Sequence, residues 1–324
     1  MPPKTSGPLV LEIARIGLEV QTTDPDLLLV AEPAHLPFLT DAPGEDCARV
    51  VLGPSSGRAV SRSRGRMLFD TGSVWRLEEY GDSRLLTFRS PLFGAEPYLV
   101  VEFDRDYRIG RGETLVGGPH LGQGELHPFV YPFDEVVFLA RLARGRGVLM
   151  HGCGLIHQAH GILFLGTSGA GKTTTARLWR QHVRATILSD DRIVIRAEES
   201  GFRIYGTPWH GEGGYETPGS VPLRAVFLLE QSPRDRIEEI TPSAAVAQMM
   251  VRAFPAMWDQ EGLDFAVRLL ADIAGRIPVR RLHFQPERSS IQTVLATVEA
   301  ECPDLVPVEI EHPPTGTEDG RGRT

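Results

Sequence analysis

Cysteine is scarce in this chain. Among 324 residues there are three, Cys47, Cys153 and Cys302, odd in number and widely separated. That pattern argues against a disulfide framework and fits a reducing compartment. Long hydrophobic runs are missing too, since no stretch approaches the roughly 18 consecutive apolar residues of a membrane-spanning helix. The first residues, Met1-Pro-Pro-Lys-Thr-Ser-Gly-Pro8, carry no apolar segment behind a basic region, so the expected location is the cytoplasm, with no membrane partner. Basic charge is not in excess: Lys+Arg number 34 against 42 Asp+Glu, a net charge of −8, which disfavours nucleic acid as a partner. Cys153 stands beside His151, but no second Cys/His pair follows at ligand spacing, and no zinc site is expected.

What the chain does have is the run Gly166-Thr167-Ser168-Gly169-Ala170-Gly171-Lys172-Thr173, set between the apolar stretch Gly161-Ile-Leu-Phe-Leu165 and the helix-like stretch Thr174 to Arg180. This is the strand–loop–helix setting of a phosphate-binding P-loop. Its glycines can take φ > 0 and lack side chains, so successive N–H groups can turn toward a phosphate. The following helix adds unpaired amide donors and the positive end of its dipole. Lys172 supplies a mobile cation for the β- and γ-oxygens, and the Thr173 hydroxyl suits one ligand position on Mg²⁺. The expected cofactors are therefore ATP and Mg²⁺, with residues 166–174 as the nucleotide-binding segment. A Gly-rich turn that merely caps a helix is the plainer alternative, and the agreement of the flanks argues against it.

A P-loop alone does not separate kinase from ATPase or GTPase, and the flanking residues must decide. Downstream, Ala185-Thr-Ile-Leu-Ser-Asp-Asp191 is an apolar strand ending in paired acids, where a metal-coordinating or proton-accepting carboxylate is wanted. Adjacent residues at a strand end face opposite ways, so the two acids are expected to do different jobs. The alternative is a β-turn, Ser189-Asp-Asp-Arg192, in a hairpin between 185–189 and 192–196. Upstream, His151-Gly152 lies 15 residues before Gly166, placed to donate a hydrogen bond or titrate beside a γ-phosphate, or else to serve structurally. No Leu-Ser-Gly-Gly-Gln-like signature is present, which disfavours an ABC-type ATPase; the other apolar run ending in an acid, Ala225-Val-Phe-Leu-Leu-Glu230, lies far from the loop along the chain.

The expected fold class is α/β. Residues 1–125 read as a β-rich N-terminal domain, with candidate strands at Leu11–Val20, Ala48–Leu52, Gly65–Phe69, Ser73–Glu78, Arg84–Arg89 and Tyr98–Phe103. Residues 126–312 read as a P-loop nucleotide-binding domain with a mixed sheet and flanking helices. A helix over Tyr131–Arg144 leads into strands at 148–151, 154–157, 162–165, 185–188, 193–196 and 202–205, and helices follow at Ser243–Val251 and Leu263–Gly275. Residues 313–324 are expected to be a disordered tail. Arg62, Arg64 and Arg66 read as a solvated loop, and Phe254, Trp258 and Phe265 as core.

The constellation of His151-Gly152, the loop Gly166–Thr173 and Leu188-Ser-Asp-Asp191 resembles the HPr kinase/phosphorylase family and its relatives with a phosphoenolpyruvate-carboxykinase-like core, over residues 147–230. The resemblance implies the corresponding kinase fold, ATP-dependent phosphorylation of a serine hydroxyl, and a homo-oligomer. It implies Asp190 as general base, Asp191 and Thr173 at the metal, and His151 and Lys172 stabilising the transferred phosphoryl group. Glu212 would replace a metal-contacting acid of the family and His210 a phosphate contact, while Gly-Thr-Pro-Trp209 reads equally well as a turn with a packed indole. The stretch Tyr205 to Gly214 lacks the family's Arg-Gly-rich substrate signature, so the resemblance points to divergent kinases beside peptide-modification systems, acting on a serine of a small protein or peptide. The N-terminal half is the expected place for peptide recognition, through a sheet edge. A nucleotide-sensing protein with a regulatory or assembly role and no phosphoacceptor is the alternative.

Overall fold

The computed structural model describes residues 4–55, 65–90, 96–114, 121–122 and 124–301. Arg62, Arg64, Cys302 and the tail expected over 313–324 lie outside the described residues. The chain is α/β, with mixed sheets, helices and a β-rich N-terminal region.

The N-terminal region is built on a nine-stranded sheet running from Leu39–Thr40 at one edge to Arg66–Asp70 at the other. Its strand Cys47–Pro54 pairs in parallel with Ile16–Thr22 and with Ile109–Thr114, while the remaining neighbours are antiparallel. The single strand predicted over Leu11–Val20 is instead a hairpin, Leu9–Ile13 with Ile16–Thr22. Its turn residues Ala14 and Arg15 take φ of 51° and 60°, the left-handed pair that a two-residue hairpin needs. Neither is the Gly or Asn that usually marks such a turn, so the break does not show in the sequence. Arg66 is held in an ion pair with Glu79.

The helix predicted near Tyr131–Arg144 spans Phe133–Leu142. Its buried Phe133, Val136, Val137, Phe138, Ala140 and Leu142 join the core of the N-terminal sheet and also meet Leu149, Val194 and Tyr205 of the C-terminal one. It is the joint between the two sheets.

In the C-terminal region a pair of long strands, Val148–His157 and Ser220–Gln231, each serve two neighbour sets. Val148–His157 replaces the two shorter strands that the sequence pattern predicts. Its initial residues pair with Arg192–Glu198 and its later ones with His160–Leu165. Glycine sits where this strand is crowded: a Cβ at Gly152 would lie 2.7 Å from Leu165 Cδ2, and one at Gly154 2.5 Å from Ile193 Cδ1. Ser220–Gln231 pairs antiparallel with Gly201–Tyr205, then in parallel with both His160–Leu165 and Val279–Phe284. The apolar run that lies far from the loop in sequence is therefore adjacent to the strand that feeds it.

Helices cover this sheet on both faces. Lys172–Val183 and Arg288–Glu301 bury Ala176, Trp179, Ile291, Val294 and Leu295 against Phe164 and Phe227. Pro242–Met250 and Gln260–Arg276 bury Met249, Ala266, Leu270 and Ile273 with Met150, Leu163 and Ile195. Both of the latter begin at side-chain caps, Thr241 accepting from the Ala244 amide and Asp259 from Gly262. No helix among the described residues is long and apolar enough to cross a membrane.

Candidate functional site

The strand His160–Leu165 is buried along its whole length and delivers the chain into the glycine loop. Gly169 and Gly171 take φ of +77° and +106°, open to glycine and strained for other residues, and a Cβ on Gly171 would also lie 2.7 Å from Phe284 Cζ. Gly171 caps the helix Lys172–Val183 without any side-chain acceptor, leaving the first amides of that helix to whatever enters the loop. Lys172 is buried, and its Nζ donates to the Gly166 and Thr167 carbonyls at 3.0 and 3.2 Å. Burial pulls its pKa below the ordinary lysine value, against the opposing charge of Asp191.

The two acids do not form the tip of a hairpin. Ser189 pairs with Gly154 and Arg192 with His151, three residues on along each strand, so one ladder keeps its register across the gap that Asp190 and Asp191 occupy. Ser189 fixes that gap. Its hydroxyl donates to the Trp209 carbonyl at 3.1 Å and accepts the Asp191 and Arg192 amides, each at 3.2 Å. The Gly152 amide donates to the Asp191 carbonyl at 3.0 Å, which ties His151-Gly152 to the acids.

The partners of the acids differ. Asp190 is 1% exposed and accepts from the Thr173 hydroxyl at 2.8 Å and from the amides of Gly211 and Gly213 at 2.9 and 3.1 Å. The approach leaves no room for a side chain at Gly213, where a Cβ would fall 2.6 Å from Asp190 Oδ2, and is tight at Gly211, where it would fall at 3.1 Å. Asp191 instead pairs with His151, Nε2 to Oδ1 at 2.9 Å, and with Arg192. Burial alone would raise the Asp191 pKa, but the His151 hydrogen bond and the Arg192 and Lys172 charges hold it below the ordinary carboxylate value.

A cavity of about 450 Å³ collects His151, Ser168, Gly169, Gly171, Lys172, Thr173, Thr174, Asp190, Asp191 and Glu212. Gly166, Thr167 and Ala170 do not line it; they shape the loop from behind, through the Lys172 contacts and the Ala170 amide's bond to the Thr167 carbonyl. His210 is exposed, held through Nδ1 to the Gly211 carbonyl at 2.8 Å, and does not line it either. Trp209 is the packed indole of the turn, donating to buried Asp134 at 2.7 Å and meeting Phe138 edge-on. Cys153 is buried, and burial raises its thiol pKa, keeping it protonated.

Sequence reasoning missed Gln231, whose side-chain amide lines the cavity and donates to the Gly169 carbonyl at 3.0 Å. Its only signal is its position at the end of the apolar run 225–230. It missed Arg192 as well, although that residue directly follows the acids. For a metal, the nearest suitable pair is the Thr173 hydroxyl with the Asp190 carboxylate. Among the described residues, no group of three or more His, Cys, Asp or Glu side chains is placed to hold an ion without help from a ligand.

A family model described as SynChlorMet cassette protein ScmC matches residues 134–270, less than half of the chain. The matched segment begins in the helix Phe133–Leu142, takes in the loop and both acids, and ends within Gln260–Arg276. A search of curated protein sequences returned no match. The resemblance to HPr kinase/phosphorylase is thereby corrected: no model of that family matches, and the similarity found is to ScmC. A glycine loop with a strand-end acid pair is a constellation short enough to recur in unrelated families, so by itself it does not show a lineage. The homo-oligomer and the particular kinase fold implied by that family lose their basis with it.

Proposed function

We propose that this chain is an ATP-dependent kinase of the P-loop type, transferring the γ-phosphoryl group to a serine hydroxyl of a small protein or peptide. One observation carries the reading: a single cavity holds the loop, the Thr173–Asp190 pair and, separately, the His151–Asp191 pair.

The glycine loop fits a polyphosphate because its left-handed glycines leave space where side chains would intrude, and because the helix behind it is uncapped. Lys172 is the cation for the β- and γ-oxygens; on ligand entry its Nζ exchanges the Gly166 and Thr167 carbonyls for phosphate oxygens. Thr173 and Asp190 are the natural holders of Mg²⁺, which is commonly bound by one or two carboxylates together with phosphate oxygens and water. When bound, Mg²⁺ supplies charge neutralisation across the β- and γ-phosphates. Glu212, on the cavity wall, is a further candidate at the metal.

This division of labour reverses the sequence expectation for the two acids. Asp190, with three protein donors on its oxygens, serves the metal side, and the His151–Asp191 pair serves the proton. The hydrogen bond to Asp191 fixes the His151 proton on Nε2 and leaves Nδ1 as the ring's basic nitrogen. In the transfer, the serine oxygen bonds to the γ-phosphorus as the bond to the β–γ bridging oxygen breaks. ADP leaves with that electron pair, and His151 takes the hydroxyl proton while Asp191 balances the charge.

A base-and-orienter pair inside the phosphate cavity favours transfer over nucleotide sensing, which needs no proton acceptor. The test is incubation with γ-labelled ATP and a panel of serine peptides, the label being located by mass spectrometry. Label on a serine oxygen supports the proposal; ATP bound with no label on any peptide sinks it in favour of the sensor.

A further inference from the structure

Beside the phosphate cavity lies a second and larger hollow, a groove of about 570 Å³ with an apolar lining. The most exposed large hydrophobic side chains among the described residues are Val251 at 72%, Tyr131 at 65% and Met257 at 61%, and all three border this groove. Exposed apolar residues scattered singly need no explanation, but a cluster around a hollow marks a binding surface. Phe254 and Trp258, expected from the sequence as core, are only partly buried and form its walls. Trp258 meets Phe69 at a tilt and Trp75 edge-on, at centroid distances of 5.5 and 5.2 Å, which gives the far wall an aromatic face from the edge of the N-terminal sheet.

The groove shares its near wall with the candidate site. The Arg192 guanidinium lies 4.1 Å from the Phe254 ring centre, and the Phe254 ring lies 5.9 Å from that of His151. Ala253–Phe254 pairs with Leu149 and Met150, and the His151 amide donates to the Arg252 carbonyl at 2.7 Å, so backbone hydrogen bonds tie this wall to the strand that carries the histidine. Among the described residues, the only charged side chains in the lining are Glu135 and Arg192, joined by a 3.1 Å hydrogen bond. A neutral apolar groove one side chain away from the proton acceptor selects for apolar groups close to the acceptor oxygen. Successive residues of an extended peptide advance about 3.3 Å each, so a side chain seated here belongs to a residue about one to three positions from the one at His151.

We infer that the acceptor is a peptide whose serine is flanked by a large aliphatic or aromatic residue, and that this groove seats that side chain. The inference rests on the kinase reading above and adds the class of substrate to it.

The experiment uses serine hexapeptides in sets of four that differ only in carrying Phe, Leu, Gly or Asp at one position, scanned from one to three residues from the serine. Binding to the full chain is measured by calorimetry with a non-hydrolysable ATP analogue present, and transfer by mass spectrometry with ATP. Phe and Leu peptides are expected to bind at least about tenfold tighter than Gly and Asp peptides, the range for burying one large apolar side chain. Val251→Glu and Met257→Glu, at exposed positions that folding tolerates, are expected to erase that preference while affinity for the ATP analogue is unchanged. Equal affinity for all four peptides in every set, or a preference untouched by both variants, overturns the inference. So does a dimer in sedimentation that Val251→Glu dissociates and no peptide displaces, for the occupant is then a second copy. Selective binding without transfer keeps the groove and removes the kinase; transfer without selectivity keeps the kinase and removes the groove.

Discussion

The Thr173 hydroxyl donates a 2.8 Å hydrogen bond to Oδ2 of Asp190, joining the first turn of the loop helix to a break in the neighbouring ladder. On the proposed kinase reading, this hydroxyl and carboxylate would hold Mg²⁺ together with phosphate oxygens. Thr173→Val keeps the shape and removes the oxygen. Affinity for ATP without Mg²⁺, carried by loop amides and Lys172, is expected to persist, while the gain in affinity on adding Mg²⁺ falls by about tenfold or more, on the scale of about 1 to 3 kcal/mol for a group left unsatisfied. Calorimetric titrations with and without Mg²⁺ check this, and an unchanged Mg²⁺ gain removes Thr173 from the metal.

His151→Ala is expected to lower the rate of phosphoryl transfer by about a hundredfold or more, the range for a lost general base, with ATP affinity retained. Rapid-quench kinetics on the variant decide the matter; an unchanged rate makes the histidine structural, its bond to Asp191 serving only to fix the ladder gap.

Asp191 ties the site to stability. Its folded-state pKa lies below the ordinary value because His151, Arg192 and Lys172 outweigh the effect of burial. The ionised carboxylate therefore stabilises the fold above the ordinary carboxylate range, and this contribution is lost as pH falls through the lowered folded-state value. Urea unfolding from pH 7 downward is expected to show wild type losing more stability than Asp191→Asn as the medium turns acid. Parallel curves would mean that the pair contributes nothing to folding.

Gly171→Ala tests the loop backbone. With φ at +106° and Phe284 Cζ 2.7 Å from the added methyl, the substitution is expected to cost about 1 to 3 kcal/mol by denaturant melt and to abolish ATP binding. Gln231→Ala should differ: the residue is exposed, so stability stays within about 0.5 kcal/mol. Its lost bond to Gly169 is expected to weaken ATP binding several-fold, and unchanged affinity would leave it a bystander.

The loop was legible in the sequence because every position in Gly166–Thr173 answers to a local demand, strand before and helix after. Asp190, Asp191 and His151 were legible as a group, since each stands at or beside a strand, but their pairing was not. Which acid meets Thr173 depends on the ladder register at Ser189 and Arg192 and on the return of Gly211 and Gly213 to Asp190, both set by contacts across tens of residues. Gln231 was hidden for the same reason: only the parallel pairing of Leu165 with Leu228 carries the end of that strand to the loop. The hairpin at Ala14-Arg15 went unread because residues without turn chemistry occupy a turn. The apolar groove could not be read at all, being assembled from three separated stretches around 69–75, 131–139 and 250–263, with Arg192 from a fourth.

The most direct measurement is ADP release beside phosphopeptide formation, in one reaction containing ATP, Mg²⁺ and a serine peptide. The expected result is ADP and phosphopeptide in equal amounts, both falling to background in Lys172→Ala. ADP formed without phosphopeptide, or ATP bound with neither product, would contradict the kinase reading.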